Sequence, residues 1–203
     1  MSKKKPGMIW GLVLAAGESR RMGEPKLLLP FGRTTIIETV VQNLMESSLD
    51  GILVVLGHRW QGILDKLKNY AVEITVNPEY KNGMLSSVQW GFRKLPRDVG
   101  AALVVLGDQP GISTQTIDLV IGAFRAGNKG LVFPTHKDPG GHPLLVDMKY
   151  RREIRSLDPS VGLRNLLCRH PEDILRVAVK SGSGLQDIDN PEDYRKVRAA
   201  KKQ

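Results

Sequence analysis

Three stretches of the chain are apolar on both alternating sets of positions: Ile9–Ala15, Gly51–Gly57 and Ala101–Gly107. Runs of this kind suit strands buried on both sides of a parallel sheet. Ile74–Val76, Gly130–Pro134, Pro143–Asp147 and Ile174–Val179 read as further strands. Between the runs, apolar positions recur with helical spacing. Thr35-Ile36-Ile37-Glu38 has the form of a capping box, and Val40, Val41 and Leu44 continue the face that Ile36 opens. Trp60–Tyr70 and Ser86–Leu95 carry helical patterns. Ser113 stands where an N-cap would open a helix bearing Ile117, Val120, Ile121 and Phe124. Lys149–Ser156 and Ser160–His170 predict two short helices, and Asn190-Pro191 the cap and first turn of a last one. Strands alternating with helices predict an α/β fold of three layers, Rossmann-like, with a mostly parallel sheet. No repeat, low-complexity tract or linker interrupts it, so residues 1–203 read as one domain.

Composition narrows the class. The chain has 203 residues, 41% hydrophobic and 25% charged, enough for a packed core and too apolar for global disorder. Aromatics are only 5%, so Val, Leu, Ile and Ala must build that core. A single cysteine, Cys168, excludes an internal disulfide framework and a cysteine-rich zinc site, and Leu166–Arg169 around it reads as helix. No apolar run approaches the roughly 20 residues that span a bilayer. Met1–Pro6 is basic, but the apolar stretch after it contains Gly11 and ends at Gly17, so it reads as a strand and not as a signal peptide. A reducing, cytoplasmic setting is the expectation. The net charge of +9 invites a nucleic-acid reading. Part of the excess lies at the ends, in Lys3, Lys4, Lys5, Arg195, Lys196, Arg198, Lys201 and Lys202. No basic helix with interleaved aromatics accompanies it. Solubilising tails at 1–6 and 199–203 are therefore expected, with neither nucleic acid nor membrane as partner.

Open α/β sheets bind ligands at the carboxyl ends of their strands. The first such end reads Leu14-Ala15-Ala16-Gly17-Glu18-Ser19-Arg20-Arg21-Met22-Gly23-Glu24-Pro25-Lys26. Ala15, Ala16 and Gly17 carry almost no side chain, so backbone amides can approach a ligand and form an anion-binding concavity. Arg21 and Lys26 add two positive charges, and each charge-assisted contact to a phosphate contributes about 1.5–3 kcal/mol. A triphosphate matches that combination; a solvated loop with chance basic residues is the plainer alternative. The loop is neither a Walker A motif nor G-x-G-x-x-G, which disfavours a P-loop enzyme and a nicotinamide dehydrogenase. The third apolar run ends in Gly107-Asp108-Gln109-Pro110. A carboxylate at a strand tip facing a phosphate loop suits Mg²⁺, although Asp108 could equally be a turn or capping residue before Pro110.

The stretch L-A-A-G-x-S-x-R-M-G-x-x-K, here Leu14 to Lys26, resembles the signature of the MobA-like nucleotidyltransferases, which share the wider sugar-nucleotide pyrophosphorylase fold. The resemblance runs along nearly the whole chain. It implies that Leu14, Ala15, Ala16, Gly17, Gly23 and Lys26 bind a nucleotide, and that Asp108 in D-Q-P is a metal ligand. Asp187-Ile188-Asp189-Asn190-Pro191-Glu192-Asp193-Tyr194 is similar to the family's D-I-D-T-P-E-D-Y, with Asn190 in place of Thr. It implies a second metal contact at Asp189, while Glu192 and Asp193 serve the helix dipole. Asn77-Pro78 and Gly83-Met84-Leu85-Ser86-Ser87 resemble the family's N-P…G-M-x-x-S-L-x-x-G, with Val88 for the usual Leu. Gly83 exposes amides, and Asn77, Ser86 and Ser87 offer polar groups to a base edge; helix capping by Ser86 is the plainer role. The G-M-x-S-S form is similar to the cytidylyltransferase branch. Pro139-Gly140-Gly141-His142-Pro143 resembles that branch's G-x-x-G-H-P without its usual arginine. Gly141 and His142 are thereby candidates for acceptor recognition, His142 alternatively being a turn histidine with a backbone partner. His58 is a weaker ligand candidate.

No Ser-His-Asp arrangement and no H-E-x-x-H is evident, so covalent or zinc hydrolysis lacks support. The resemblance implies a Mg²⁺-dependent transfer of CMP from CTP to the phosphate of molybdopterin (the molybdenum cofactor), with release of pyrophosphate. Arg21, Lys26 and Asp108 would carry the catalysis by alignment and charge neutralisation. Guanylyl transfer from GTP, transfer to a sugar phosphate, and a non-catalytic protein that delivers the cofactor to a recipient molybdoenzyme are the alternatives.

Overall fold

The computed structural model describes residues 7–136, 141–158, 161–180 and 186–200. The basic ends Met1–Pro6 and 201–203, Pro139-Gly140 of the G-H-P stretch, and Ser160 lie outside the described residues. The three apolar runs are adjacent strands of one seven-stranded sheet. Along the chain run β1 (Met8–Ala15), a small ribbon of β2 (Pro30–Phe31) and β3 (Thr34–Thr35), α1 (Ile36–Met45), β4 (Gly51–Leu56), α2 (Trp60–Leu67), β5 (Glu73–Val76), α3 (Met84–Lys94) and β6 (Val99–Leu106). Then follow α4 (Thr114–Ala126), β7 (Leu131–Thr135), β8 (Leu144–Asp147), α5 (Arg151–Ser156), α6 (Arg164–Arg169), β9 (Ile174–Ala178) and α7 (Pro191–Ala200).

The strand order is β5-β4-β1-β6-β8-β7-β9. β1 pairs in parallel with both β4 and β6, and β8 runs antiparallel to both of its neighbours. The sheet is thus mostly parallel. Alternation along β1 sorts the core into two layers, because successive side chains point to opposite faces. Ile9 and Val13 pack with Ile36, Val40, Val41 and Leu44 of α1 and with Ile117, Val120 and Ile121 of α4. Trp10, Leu12 and Leu14 pack on the other face with Leu85, Val88 and Phe92 of α3 and Ile154 of α5. A strand buried on both faces needs this double apolar set, and that is why the pattern was continuous.

The helix signals acted as local chemistry predicts. Thr35 and Glu38 close a reciprocal capping box at α1. Ser113 Oγ accepts from the Thr116 amide at 3.2 Å at α4. Asn190 Oδ1 accepts from the Glu192 and Asp193 amides at 2.9 and 3.0 Å at α7. Several boundaries differ from the periodic reading, among them the start of α5 at Arg151 and not at Lys149. α2 ends at Leu67 and not at Tyr70. α3 begins two residues early, at Met84, because Gly83 has φ 92° and ψ 176°, which stops the chain just before the helix. α6 begins only at Arg164.

β4 and β6 lie on opposite sides of β1, so connections leaving the sheet there diverge. In open α/β sheets this switch point is where a crevice opens beyond the strands' carboxyl ends. The loop after β1 and the Gly107–Gln109 turn after β6 both lie at that crevice.

Candidate active site

The loop after β1 is held by its own backbone. The His58 amide donates to the Ala16 carbonyl at 3.2 Å, tying the loop's start to the end of β4. Ser19 takes a left-handed conformation (φ 54°), and its Oγ accepts from the Lys26 amide at 3.2 Å. Around Gly17 a Cβ would meet nothing within 4 Å, so the Cα there borders open space. At the end of β6 the Gly107 amide donates to the Leu14 carbonyl at 3.0 Å, which brings the second turn against the first loop. A third segment closes the site from the far end of the chain. Ile188 is fully buried, and its amide donates to the Asp108 carbonyl at 3.1 Å. Asp187 and Asp189, either side of it, therefore both reach the crevice, where they line the cleft.

The charged side chains meet there. Lys26 Nζ donates to Asp108 Oδ2, to the Ile188 carbonyl at 2.8 Å, and approaches Asp189 Oδ1 at 3.5 Å. Arg21 pairs with Asp189 Oδ1 at 2.8 Å. Gln109, almost fully buried, donates through Nε2 to Asp187 Oδ1. Burial, followed by the charges of Asp108 and Asp189, pushes the Asp187 carboxyl up, against the bond from Gln109.

These groups border a cleft of about 600 Å³. Its wall includes Leu14, Ala15, Ala16, Gly17, Arg21, Lys26, Gly83, Ser87, Asp108 and Asp189 among the residues expected from sequence. Gly23 and His58 instead face a smaller hollow of about 180 Å³ beside it. Asn77 and Ser86 are buried behind the cleft wall. Asn77 Nδ2 donates to Ser86 Oγ and Ser87 Oγ at 3.0 and 3.1 Å, and Ser86 Oγ donates to the Glu79 and Gly83 carbonyls. Ser86 is thus not the cap of α3; it and Asn77 brace the turn that presents Gly83 and Ser87. Gly141 and His142 are not part of the cleft wall. His142 Nδ1–H donates to the Val104 carbonyl at 3.4 Å, the backbone partner that the turn-histidine reading expects. Burial pushes its imidazole pKa down, opposed by that bond and by the charge of Asp108.

Sequence reasoning did not single out Tyr80, Lys81, Met84 or Asp187 on the cleft, nor Gln109 behind it. The D-I-D spacing carried a usable signal for Asp187, since residues two apart on an extended segment share a side. Gln109 has no local signal, because its partner lies 78 residues away.

Asp108 Oδ1 is buried and has no hydrogen-bond partner among the described residues. The ammonium of Lys26 meanwhile occupies the position of a cation between two carboxylates. Both observations fit a hard divalent cation, since Mg²⁺ takes only one or two protein carboxylates and fills its remaining positions with water and phosphate. Among the described residues, no three His, Cys, Asp or Glu side chains form a fuller metal cluster. No helix among them is long and apolar enough to cross a membrane.

Comparison with known proteins agrees with this geometry. The molybdenum cofactor cytidylyltransferase of Escherichia coli is 28% identical over 184 residues, 90% of this chain and 92% of that one. Nicotine blue oxidoreductase of Paenarthrobacter nicotinovorans is 27% identical over 191 residues, 91% and 93% of the two chains. The solved structure of a nucleotidyl transferase from Methanothermobacter thermautotroptrophicus superposes with a TM-score of 0.82 at 26% identity, covering 95% of this chain and 97% of that one. The family model of the MobA-like NTP transferase domain matches residues 11–174, and the chain belongs to that family.

Proposed function

We infer that the protein transfers CMP from CTP to the phosphate of molybdopterin, with Mg²⁺ as cofactor and pyrophosphate as the second product. The observation that carries this reading is the meeting of an open, side-chain-free loop, two cations and two carboxylates in one cleft at the sheet's switch point. The likeness to the E. coli cytidylyltransferase supports the choice of base and acceptor. A phosphate oxygen of the acceptor forms the new bond to the α-phosphorus. The bond from that phosphorus to the bridging oxygen breaks, and pyrophosphate leaves with the electron pair. The attacking oxygen is already anionic near neutral pH, so no strong general base is needed.

Arg21 and Lys26 hold the β- and γ-phosphates and the departing pyrophosphate, and the amides from Leu14 to Gly17 line the nucleotide's path. Gly83 and Ser87 face the base, braced by Asn77 and Ser86. Asp108 and Asp189 would hold Mg²⁺, which would supply charge neutralisation. Acceptor recognition is assigned to Gly141 and His142, which lie outside the cleft wall. The absence of a long apolar helix among the described residues is compatible with a cytoplasmic setting, in which a recipient molybdoenzyme would take the product.

Pyrophosphate release tests the reading, measured with each of the four common triphosphates and with molybdopterin or a sugar phosphate as acceptor. Asp108→Ala should lose about 10²–10³ in turnover, the usual effect of removing one preorganised electrostatic element. Unchanged turnover removes Asp108 from the mechanism. A preference for GTP moves the protein to guanylyl transfer, and ligand binding without pyrophosphate release makes it a delivery protein.

A further inference from the structure

We propose that Lys26 is a place-holder for the divalent cation, so that the metal and the nucleoside triphosphate enter this cleft as mutually dependent ligands. The inference rests on the nucleotidyltransferase reading and concerns how the same site is regulated. Two cations assigned to phosphate, Lys26 and Arg21, are paired with the two carboxylates assigned to metal, Asp108 and Asp189. The pairing is nearly complete for Lys26. Its ammonium has three donors, and three oxygens surround it: Asp108 Oδ2, the Ile188 carbonyl and Asp189 Oδ1. Its side chain is only 14% exposed, so water screens this pairing poorly. Arg21, 68% exposed, is the looser member.

The two pairs leave the site close to neutral. A divalent cation arriving alone meets an ammonium already seated among its ligands. A triphosphate arriving alone meets two carboxylates and finds both of its cations engaged. When both arrive, each takes the partners that the other releases: the carboxylates turn to the metal and the cations to the phosphates. The ammonium is an imperfect substitute, because it leaves Asp108 Oδ1 buried without a partner among the described residues. That oxygen favours exchange of Lys26 for a metal once the triphosphate can receive the lysine. Coupling between two ligands commonly amounts to about 5–150-fold in affinity, and this site should lie within that range.

The test uses Mn²⁺ as the probe, on nucleotide-free full-length protein, with bound and free ion separated by electron paramagnetic resonance. Wild type should bind Mn²⁺ weakly. Lys26→Met should bind it at least about tenfold more tightly, within that coupling range, because Asp108 loses its competitor and Asp189 keeps only the exposed Arg21. Lys26→Arg, which retains the charge, should stay weak. Arg21→Gln, which loosens Asp189 while Lys26 stays seated between the carboxylates, should rise by a smaller factor. If folded Lys26→Met matches wild type in Mn²⁺ affinity, the place-holder is wrong. Circular dichroism establishes that each variant is folded; should Lys26→Met not fold, Arg21→Gln decides alone. The enzymatic reading fails by a different result, namely no CTP binding or pyrophosphate release by wild type with Mg²⁺. The Mn²⁺ measurement contains no nucleotide and is independent of that outcome.

Discussion

Replacing Gln109 by leucine separates the positioning of the acidic segment from its chemistry. Gln109 is 3% exposed, and its amide is the clamp that the turn after β6 places on Asp187. Leucine is of similar volume and brings no polar atom into the pocket, and the loss includes the hydrogen bond to the Asp187 carboxylate. Part of the Asp187 residue stays open to solvent even though its carboxyl is partly desolvated, so water can take the donor's place. The stability cost therefore falls near the ordinary net value of a hydrogen bond, about 1 kcal/mol, and not at the upper end for charged groups. For a chain of this size that lowers Tm by about 2–4 °C. The effect on turnover should be larger. Without the clamp, Asp187 retains the repulsion of Asp108 and Asp189 that already raises its carboxyl. The 187–189 segment is then held to the turn by the Ile188 amide and the Lys26 ammonium alone, among the contacts described for it. A displacement of about 1 Å at a catalytic group can cost 10²-fold in rate, so Gln109→Leu should lose about 10–100-fold in kcat/KM for pyrophosphate release. Asp187→Asn is the partner experiment. Its carbonyl oxygen still accepts from Gln109 while the repulsion disappears, so activity should remain near wild type. Two results refute the reasoning: turnover by Gln109→Leu within about threefold of wild type, or a loss in Asp187→Asn as large as in Gln109→Leu. The second would make the carboxylate's charge, and not the clamp, the working element.

Two further outcomes follow from local geometry. Gly83→Ala forces a side chain into a backbone region that is essentially restricted to glycine, at about 1–3 kcal/mol; it should lower Tm and weaken CTP binding through the displaced start of α3, and an unchanged Tm would contradict this. Away from the cleft, Asp173 accepts from Tyr150 Oη at 2.5 Å and pairs with Lys149 at 2.6 Å. Burial would raise the Asp173 carboxyl, but the bonds from Lys149, Tyr150 and Gly130 outweigh it and hold the group below its ordinary 3.8. Burial first, then Asp173, pushes the Tyr150 phenol above its ordinary 10.0. A lowered carboxyl contributes stability that is present above pH 3.8 and lost as the pH falls through its folded value. A raised phenol contributes stability that is present below pH 10 and lost as the pH rises through its folded value. In urea denaturation across pH, Asp173→Asn should flatten the acid limb and Tyr150→Phe the alkaline one; limbs identical to wild type would show that the cluster does not couple to folding.

The fold was legible because its decisive signals are local. β1, β4 and β6 announce themselves by burying both faces, and the Thr35–Glu38 and Asn190–Pro191 signals each need only a few consecutive residues. The β2–β3 ribbon escaped notice because two-residue strands have no period to detect. The early start of α3 was hidden because the polar residues of its first turn, Ser86 and Ser87, face inward to Asn77. Their burial inverts the outward placement that a periodic pattern assumes.

The site shows the same division more sharply. Each charged residue could be matched to a ligand from its own segment: a lysine beside a glycine loop suits phosphate, and an aspartate at a strand tip suits a metal. What no segment contains is that Lys26 and Asp108, 82 residues apart, are bonded to each other. Opposite charges selected for opposite parts of one ligand must converge where that ligand lies, and in its absence they satisfy one another. On the proposed function, the contact is a consequence of complementarity to a magnesium–polyphosphate pair. On the same proposal, Asp108 Oδ1, without a partner among the described residues, shows how imperfectly a lysine would replace the metal. Had the same four charges evolved as a structural salt-bridge network, burial would have been expected to satisfy both oxygens of the more buried carboxylate. That one is left open at the cleft is the physical reason to read these ion pairs as a binding site and not as a stabilising network.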